Sequence, residues 1–109
     1  MGYDLHIVHT ADWLDAADAP VDPEAWAREA ATLAPYGEIG TIGDDGQVTM
    51  HPVVCLQPPE GPTLHLDRGR VRIEGADESH VPALVQIARR LGARLVGDDG
   101  EEYDEGGEI

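Results

Sequence analysis

Residues 70–96 read RVRIEGADESHVPALVQIARRLGARLV, and this stretch decides the fold because it runs from a strand through a helix into another strand. Val71 and Ile73 alternate with arginines, which is the period-two pattern of a half-buried strand. Residues 80–91 then place apolar side chains at the i, i+3, i+4 and i+7 positions of an amphipathic helix. Residues 93–96 return to a short strand. A chain that mixes these elements is expected to form an α+β fold.

The ends of two helices are marked by residues that favour them. Asp22 is a good N-cap, and Pro23 suits the first helical position of a helix that ends before Pro35. In the second helix, a cap at Ser79 would put Pro82 in the first turn, where its missing N–H costs little. The sequence therefore predicts that the second helix is capped by Ser79.

Further strands surround these helices. Residues 3–10 alternate with Leu5 and Ile7 towards the core, and Pro52 in a longer apolar strand predicts an edge position or a bulge. The order becomes β-α-β-β-β-β-α-β. We expect one mostly antiparallel sheet of about five to six strands with both helices on one face. The last strand could pair in parallel with a neighbour after a helical crossover.

The composition bounds the organisation of the chain. A length of 109 residues corresponds to one domain, predicted over 1–104, with 105–109 as a mobile acidic tail. The single Cys55 indicates a reducing compartment, and the sequence shows no signal peptide and no membrane span. We therefore predict a cytoplasmic protein. All seven basic residues are arginine and lysine is absent, which suggests a GC-rich genome or a salt-rich cytoplasm. Either explanation would make part of the acidity a background property and not a function.

The net charge of −15 is the strongest functional signal, and it disfavours nucleic acid and anionic lipid as partners. Residues 98–109 hold seven acids and no base. This end is interpreted either as a docking surface for a basic protein or as a solubilising tail. For the docking surface we predict an aromatic anchor at Trp13 together with these acidic contact residues: Asp98, Asp99, Glu101, Glu102 and Asp104.

The tetrapeptide Gly-Asp-Asp-Gly occurs twice, at 43–46 and 97–100. One interpretation is a shared divalent-cation site built from carboxylate oxygens. Its ligands would be Asp44, Asp45, Asp98 and Asp99. The other interpretation is two unrelated hairpin turns, since Asp-Gly is favoured in such turns. No cofactor is predicted.

Other reactive side chains do not form a catalytic pattern in the sequence. Cys55 lies in an apolar strand and is interpreted as a core residue, and no two histidines have the helical spacing of a zinc site. Arg68, Arg70 and Arg72 form a basic stripe that either offsets nearby carboxylates or grips an acidic patch on a partner. Without a nucleophile–base pair or a metal-ligand set, we predict that the protein is not an enzyme.

Both ends of the chain carry a resemblance. The segment YDLHI at 3–7 is followed by Asp12-Trp13-Leu14, and residues 87–103 read IARRLGARLVGDDGEEY. Together they resemble a group of small uncharacterised bacterial proteins that begin with a strand-Trp unit and close with a helix, a strand and a Gly-Asp-Asp-Gly-Glu turn. The group has no established activity, so the resemblance implies a fold more than a function. In appearance these proteins are similar to immunity proteins of bacterial toxin systems.

We therefore expect a non-enzymatic, acidic interaction protein, of the kind of an immunity-type inhibitor, that binds a basic protein partner such as a toxin. The alternative is a small divalent-cation-binding domain that uses the two Asp-Asp-Gly turns. A third class, an enzyme subunit whose site is completed by oligomerisation, would need a deep pocket lined by His6, His51 or His65. The oligomeric state is left open by the sequence.

Overall fold

An antiparallel sheet of eight strands lies at the centre of the computed structural model, which describes residues 4–33, 37–56, 61–104 and 106–108. Its strands, in chain order, are β1 Leu5–Val8, β2 Gly37–Ile42, β3 Val48–Cys55, β4 Thr63–Asp67, β5 Arg70–Glu74, β6 Arg94–Gly97, β7 Glu102–Asp104 and β8 Gly107–Glu108. Across the sheet they are ordered β2-β3-β4-β5-β1-β6-β7-β8. The predicted α+β class is confirmed.

The acidic end of the chain adds strands that the sequence did not predict. β7 pairs with β6, and β8 pairs with β7 through Tyr103 and Asp104, so the prediction of five to six strands was too low. A parallel pairing of the last predicted strand is wrong, because β6 runs antiparallel to β1 along its whole length. The boundary at 104 stays a prediction, and Glu105 and Ile109 lie outside the described residues.

Two α-helices, α1 over Pro23–Thr32 and α2 over Val81–Arg90, begin at different kinds of cap. The predicted cap of α1 is confirmed, because the Asp22 carboxylate accepts a hydrogen bond from the N–H of Glu24. The predicted Ser79 cap is wrong. A 3₁₀ turn at Glu78–His80 precedes α2, and it is capped by Asp77, which accepts from the N–H of Ser79. The Pro35 that should end α1 lies outside the described residues.

The main core lies between the helices and one face of the sheet. Ile7, Leu64 and Ile73 contribute fully buried side chains from three neighbouring strands. Trp26 of α1 and Leu84 of α2 pack into the same apolar cluster, so both helices cover one face, as the sequence predicted. This arrangement leaves the other face of the sheet for a different covering element.

A 3₁₀ helix at Trp13–Asp18 covers the opposite face over β1. Val8 packs there with Ala16 and Val96, and Trp13 lies against this second cluster. All four residues of β1 are buried, whereas the sequence predicted a strand buried on one face only. The cause is the position of β1 between β5 and β6, with apolar elements above and below it. This second covered face holds a polar cluster described below.

The hairpin formed by β2 and β3 projects beyond the rest of the sheet. β2 pairs with β3 at six positions, but β3 pairs with β4 only through Val53, Val54 and Cys55. Pro52 comes immediately before this paired segment, and it has no N–H with which to continue a ladder. In the described part of the chain, residues 48–52 therefore pair with β2 alone, which agrees with an edge position for Pro52.

Candidate functional site

The second covered face holds a hydrogen-bonded pair formed by His6 of β1 and Asp98 of the turn after β6. His6 Nε2 lies 2.7 Å from Asp98 Oδ1, and the other carboxylate oxygen accepts from the N–H of Asp4 at 3.0 Å. Trp13 Nε1 donates to the Asp98 carbonyl at 2.8 Å. Through these hydrogen bonds, Asp98 of the β6–β7 turn links the turn to β1 and to the first 3₁₀ helix.

Burial and the pairing with Asp98 together set the charge and the tautomer of the imidazole. Burial lowers the pKa of His6 below its ordinary value, against the opposing effect of the hydrogen bond that His6 donates to Asp98. Partial burial alone would raise the pKa of Asp98, but the hydrogen bonds from His6 and Asp4 outweigh it, and that pKa is lowered. A carboxylate can only accept, so Nε2 carries the proton of a neutral ring and Nδ1 carries the lone pair.

Aromatic and cationic groups cover this pair. The Trp13 ring stacks on His6 with 4.4 Å between ring centroids and an interplanar angle of 9°. The guanidinium of Arg70 lies 4.6 Å from the Trp13 ring centroid, which is cation–π distance. Arg70 Nη2 also donates to Asp67 at 3.2 Å. Trp13 is therefore half-buried against the rest of the molecule, and its role as an aromatic anchor, which requires exposure, stays a prediction.

The three arginines of the predicted basic stripe have different surroundings. Arg72 donates from Nε and Nη2 to one oxygen of Asp4, at 3.0 and 2.8 Å, and lies 3.5 Å from Glu74. Arg70 and Arg72 thus offset carboxylates of the same chain, which was one of the two interpretations. Arg68 differs, because it lies exposed in the β4–β5 turn with a left-handed backbone, φ +52°.

The His6 cluster holds elements together and does not present a reactive group. His6 is 1% exposed beneath Trp13, and among the described residues its Nδ1 has no hydrogen-bond partner. A general base must come within hydrogen-bond distance of the proton it removes. A covered imidazole of this kind does not meet that condition in the observed structure.

A second candidate is an apolar surface on the β2–β3 hairpin. Within the described residues, four of the five large exposed hydrophobic side chains lie on this hairpin. The register places Ile42 opposite Val48 and Gly40 opposite Met50, so these residues share one face. A Cβ atom on Gly40 would lie 3.2 Å from both Val48 Cγ1 and Met50 Sδ. We call Ile42, Val48 and Met50 the hairpin patch; they are 77%, 61% and 52% exposed.

Only acidic groups carry formal charge on the hairpin. Glu38 lies on β2, Asp44 and Asp45 lie in the connecting turn, and no Lys or Arg occurs between residues 29 and 67. Asp45 Oδ1 accepts from the N–H of Gln47 at 3.0 Å, which holds the turn. The hairpin patch is therefore an apolar surface bordered by negative charge.

A cleft of about 520 Å³ adjoins the hairpin patch at Ile42. It lies where β3 and β4 stop pairing, between the hairpin, the segment before α1 and the β4–β5 turn. Its walls are mostly apolar, with His51, Asp67 and Arg68 as its polar groups. Known ligand pockets fall in about the same size range, roughly 300 to 1,000 Å³. The third function class expected a pocket lined by His6, His51 or His65, and of these the cleft contains His51 alone.

The structure places the predicted contact acids at the far edge of the sheet from the hairpin. Asp98 is engaged with His6, and Glu102 lies 3.4 Å from Arg94. Asp104 accepts from the N–H of Gly106 at 2.8 Å, and Asp99 is exposed. Glu101 is half-buried. The proposed docking role of these acids stays a prediction, but Asp98 has a structural role within the fold.

The two Gly-Asp-Asp-Gly segments form the same type of hairpin turn. The N–H of Gly46 donates to the carbonyl of Gly43 at 3.0 Å, and Gly100 donates to Gly97 at 2.9 Å. All strands are antiparallel, and three strands separate the two hairpins, so the turns point to opposite ends of the sheet. Asp44 and Asp45 therefore cannot share an ion with Asp98 and Asp99, and the predicted shared cation site is wrong. No group of three metal-ligating side chains occurs among the described residues.

Cys55 lies in β3 as predicted, but it is half-buried and not part of the core to which the sequence assigned it. Its Sγ lies 3.5 Å from the carbonyl of Gly61, and its side chain is half-buried in β3. The pairing of His6 with Asp98 could not be read from the sequence, because 92 positions separate them. The exposed hairpin was missed because its apolar residues were assigned to a strand, with no means of telling which faces would be covered.

Comparison with known protein families, with curated proteins and with solved structures found no match to this chain. Within the residues that the structure describes, no helix is both long and apolar enough to cross a membrane. The function is therefore argued from the surfaces described above.

Proposed function

We propose that this protein is a non-enzymatic interaction protein that binds a basic protein partner through the hairpin patch. The observation that carries the proposal is the concentration of exposed apolar side chains on one hairpin. Contiguous exposed apolar surface commonly marks an interaction site. The adjoining cleft offers a pocket for one apolar side chain of the partner, which is the usual setting of an interface hot spot.

Charge determines the kind of partner. The patch is bordered by Glu38, Asp44 and Asp45, and the whole chain carries −15. A partner with basic residues around an apolar centre would complement this surface, and the long-range field would speed its approach. The acids at 98–104 lie at the other edge of the sheet, so we assign them a steering role, with the direct contact predicted from the sequence as the alternative. An immunity-type inhibitor of a basic toxin is one protein of this kind.

The test compares tagged variants as bait in a lysate of the source cells at low salt. The patch variant is Ile42→Ser with Val48→Thr and Met50→Ser; the matched control is Leu14→Ser, which changes an exposed apolar residue outside the hairpin. We expect a protein that is retained by the wild type and by the Leu14 control but lost with the patch variant. Equal retention by all three baits, or no retained protein, would contradict the proposal.

The steering role has its own measurement on the recovered complex. Asp99→Asn with Glu102→Gln and Asp104→Asn removes three charges at the far edge. We expect a lower association rate constant, a weaker dependence of that rate on salt, and an unchanged dissociation rate constant. A faster dissociation would instead show that these acids touch the partner, as the sequence analysis predicted.

A further inference from the structure

β2 is the edge strand at one side of the sheet. In the part of the chain described by the structure, its only strand partner is β3. The pairing with β3 is continuous from Gly37 to Ile42, with no bulge. A strand in this position presents a row of backbone N–H and C=O groups to its surroundings, which can pair with another chain.

β2 has few of the devices that usually protect an edge strand. Such strands are shortened, bulged, covered by another element, or carry charged residues or proline. β2 is six residues long, with the sequence GEIGTI, and its only charge is Glu38. The opposite edge of the sheet provides an internal comparison, because β8 is only two residues long. One edge of this sheet is therefore only two residues long, whereas the other is six residues long, regular, and carries a single charge.

We propose that the basic partner adds an extended segment to β2 as a further strand of the sheet. This inference rests on the proposed function and specifies its mode of binding. Main-chain hydrogen bonds along β2 would supply affinity, and alternate apolar side chains of the added strand would lie beside the hairpin patch. Glu38 lies on the same face of β2 as Ile42 but at the other end of the strand, so a basic side chain at one end of the added segment would lie near Glu38, and one at its other end near Asp44 and Asp45. A second copy of this chain fits less well, because each copy carries −15 and would bring another Glu38 to the same edge.

The test uses the full chain and a nine-residue peptide, labelled for fluorescence anisotropy, with a core of alternating valine and threonine and two arginines at each end. A matched peptide carries N-methyl groups on all of its central amide nitrogens, which keeps the side chains and charge but removes the N–H donors of both edges. We expect the methylated peptide to bind at least about tenfold more weakly. Hydrogen exchange should show that the unmodified peptide protects backbone amides within 37–42. Equal binding of the two peptides, absent binding, or protection confined to other strands would overturn strand addition.

Two charge variants distinguish binding at the β2 edge from general electrostatic attraction between a basic peptide and the acidic chain. Glu38→Lys reverses the only charge on β2, and Asp18→Lys makes the same change in charge on the first 3₁₀ helix. We expect Glu38→Lys to weaken peptide binding at least about fivefold more than Asp18→Lys does. Similar losses in the two variants would contradict the inference.

Failure of this inference can be told from failure of the proposed function. If partner capture depends on the hairpin patch while both peptides bind equally, strand addition is wrong and the proposed function stands. If capture does not depend on the patch, both are wrong. A concentration-dependent dimer that protects the amides of β2 would replace the basic partner with a second copy and overturn the proposed occupant.

Discussion

His6 is a residue whose environment opposes its charge. Its ring is buried on a central strand, stacked under Trp13, and hydrogen-bonded to the carboxylate of Asp98, which also accepts from the N–H of Asp4. Burial outweighs the attraction of Asp98, so the folded protein keeps the imidazole neutral. In the unfolded chain the same side chain is solvated and titrates near 6.5.

This difference predicts a pH dependence of stability. Between the lowered pKa of folded His6 and its unfolded value of 6.5, the unfolded chain binds more protons, so the free energy of unfolding rises with pH in that window. The His6 contribution is therefore complete above the unfolded value and is lost as the pH falls below it. Urea unfolding of the wild type at pH 7.5, 6.5 and 5.5 should show this decline.

The variant His6→Gln isolates the effect, because an amide can still donate to Asp98 but does not titrate. We expect lower stability at pH 7.5, by about 1–3 kcal/mol for a disturbed buried polar group, together with a flatter profile down to pH 5.5. His9→Gln, at an exposed position, should keep the slope of the wild type. If His6→Gln keeps that slope as well, His6 is not its source.

At the scale of elements, two turn glycines have the same φ angle in different surroundings. Gly69 in the β4–β5 turn and Gly100 in the β6–β7 turn both have φ +85°. A Cβ on Gly69 would lie 2.7 Å from the carbonyl oxygen of Ala16, whereas nothing lies within 4 Å of one on Gly100. The carbonyl of Gly69 also accepts from the N–H of Val21 at 2.9 Å. The β4–β5 turn is thus packed against the chain that leads into α1.

Alanine substitutions should distinguish the stability cost of the left-handed backbone from the cost of the steric contact. Gly100→Ala should cost about 1–2 kcal/mol, the usual penalty of a left-handed backbone for a residue with a Cβ. Gly69→Ala carries the same penalty and a steric one of about 1–3 kcal/mol, because backbone atoms must move. Midpoints of urea unfolding measure the difference. Equal costs at the two glycines would show that the contact with Ala16 relaxes freely.

Elements with a local signal could be predicted from the sequence, and those that depend on distant contacts could not. The Asp22 cap, the amphipathic α2 and both Asp-Asp-Gly turns follow from neighbouring residues, and the structure contains all three. The cap of α2 was misplaced because Asp77 and Ser79 both suit the role, and the extra 3₁₀ turn decides between them. β1 was assigned one buried face because its second cover comes from a segment with no periodic pattern.

The same distinction between local signals and distant contacts applies to the candidate site. The borders of the hairpin could be predicted from its turn and its apolar residues, but its exposure depends on where β4 stops pairing with β3. The roles of Trp13 and Asp98 depend on contact between the two ends of the chain, which no spacing in the sequence reveals.

For the whole molecule, two electrostatic effects of opposite sign compete. Attractive pairs such as Arg90 with Glu29, at 2.7 Å, lose strength when salt screens them. Mutual repulsion among the excess acids, which give a net charge of −15, also weakens with salt, and this stabilises the folded state. The screening length shortens from about 30 Å at 0.01 M salt to about 3 Å at 1 M, so long-range repulsion is removed first.

We therefore expect the melting temperature to rise between 10 mM and 500 mM NaCl. A gain of about 1 kcal/mol corresponds to roughly 4–8 °C in a domain of this size. Asp18→Asn with Asp44→Asn removes two exposed charges, and it should be more stable than the wild type at low salt but gain less from added salt. A melting temperature that falls with salt would mean that the ion pairs dominate. The predicted rise would instead show that the acidity costs stability at low salt. A partner that uses the charge, a salt-rich environment that hides the cost, or a compositional bias of the genome would each account for it.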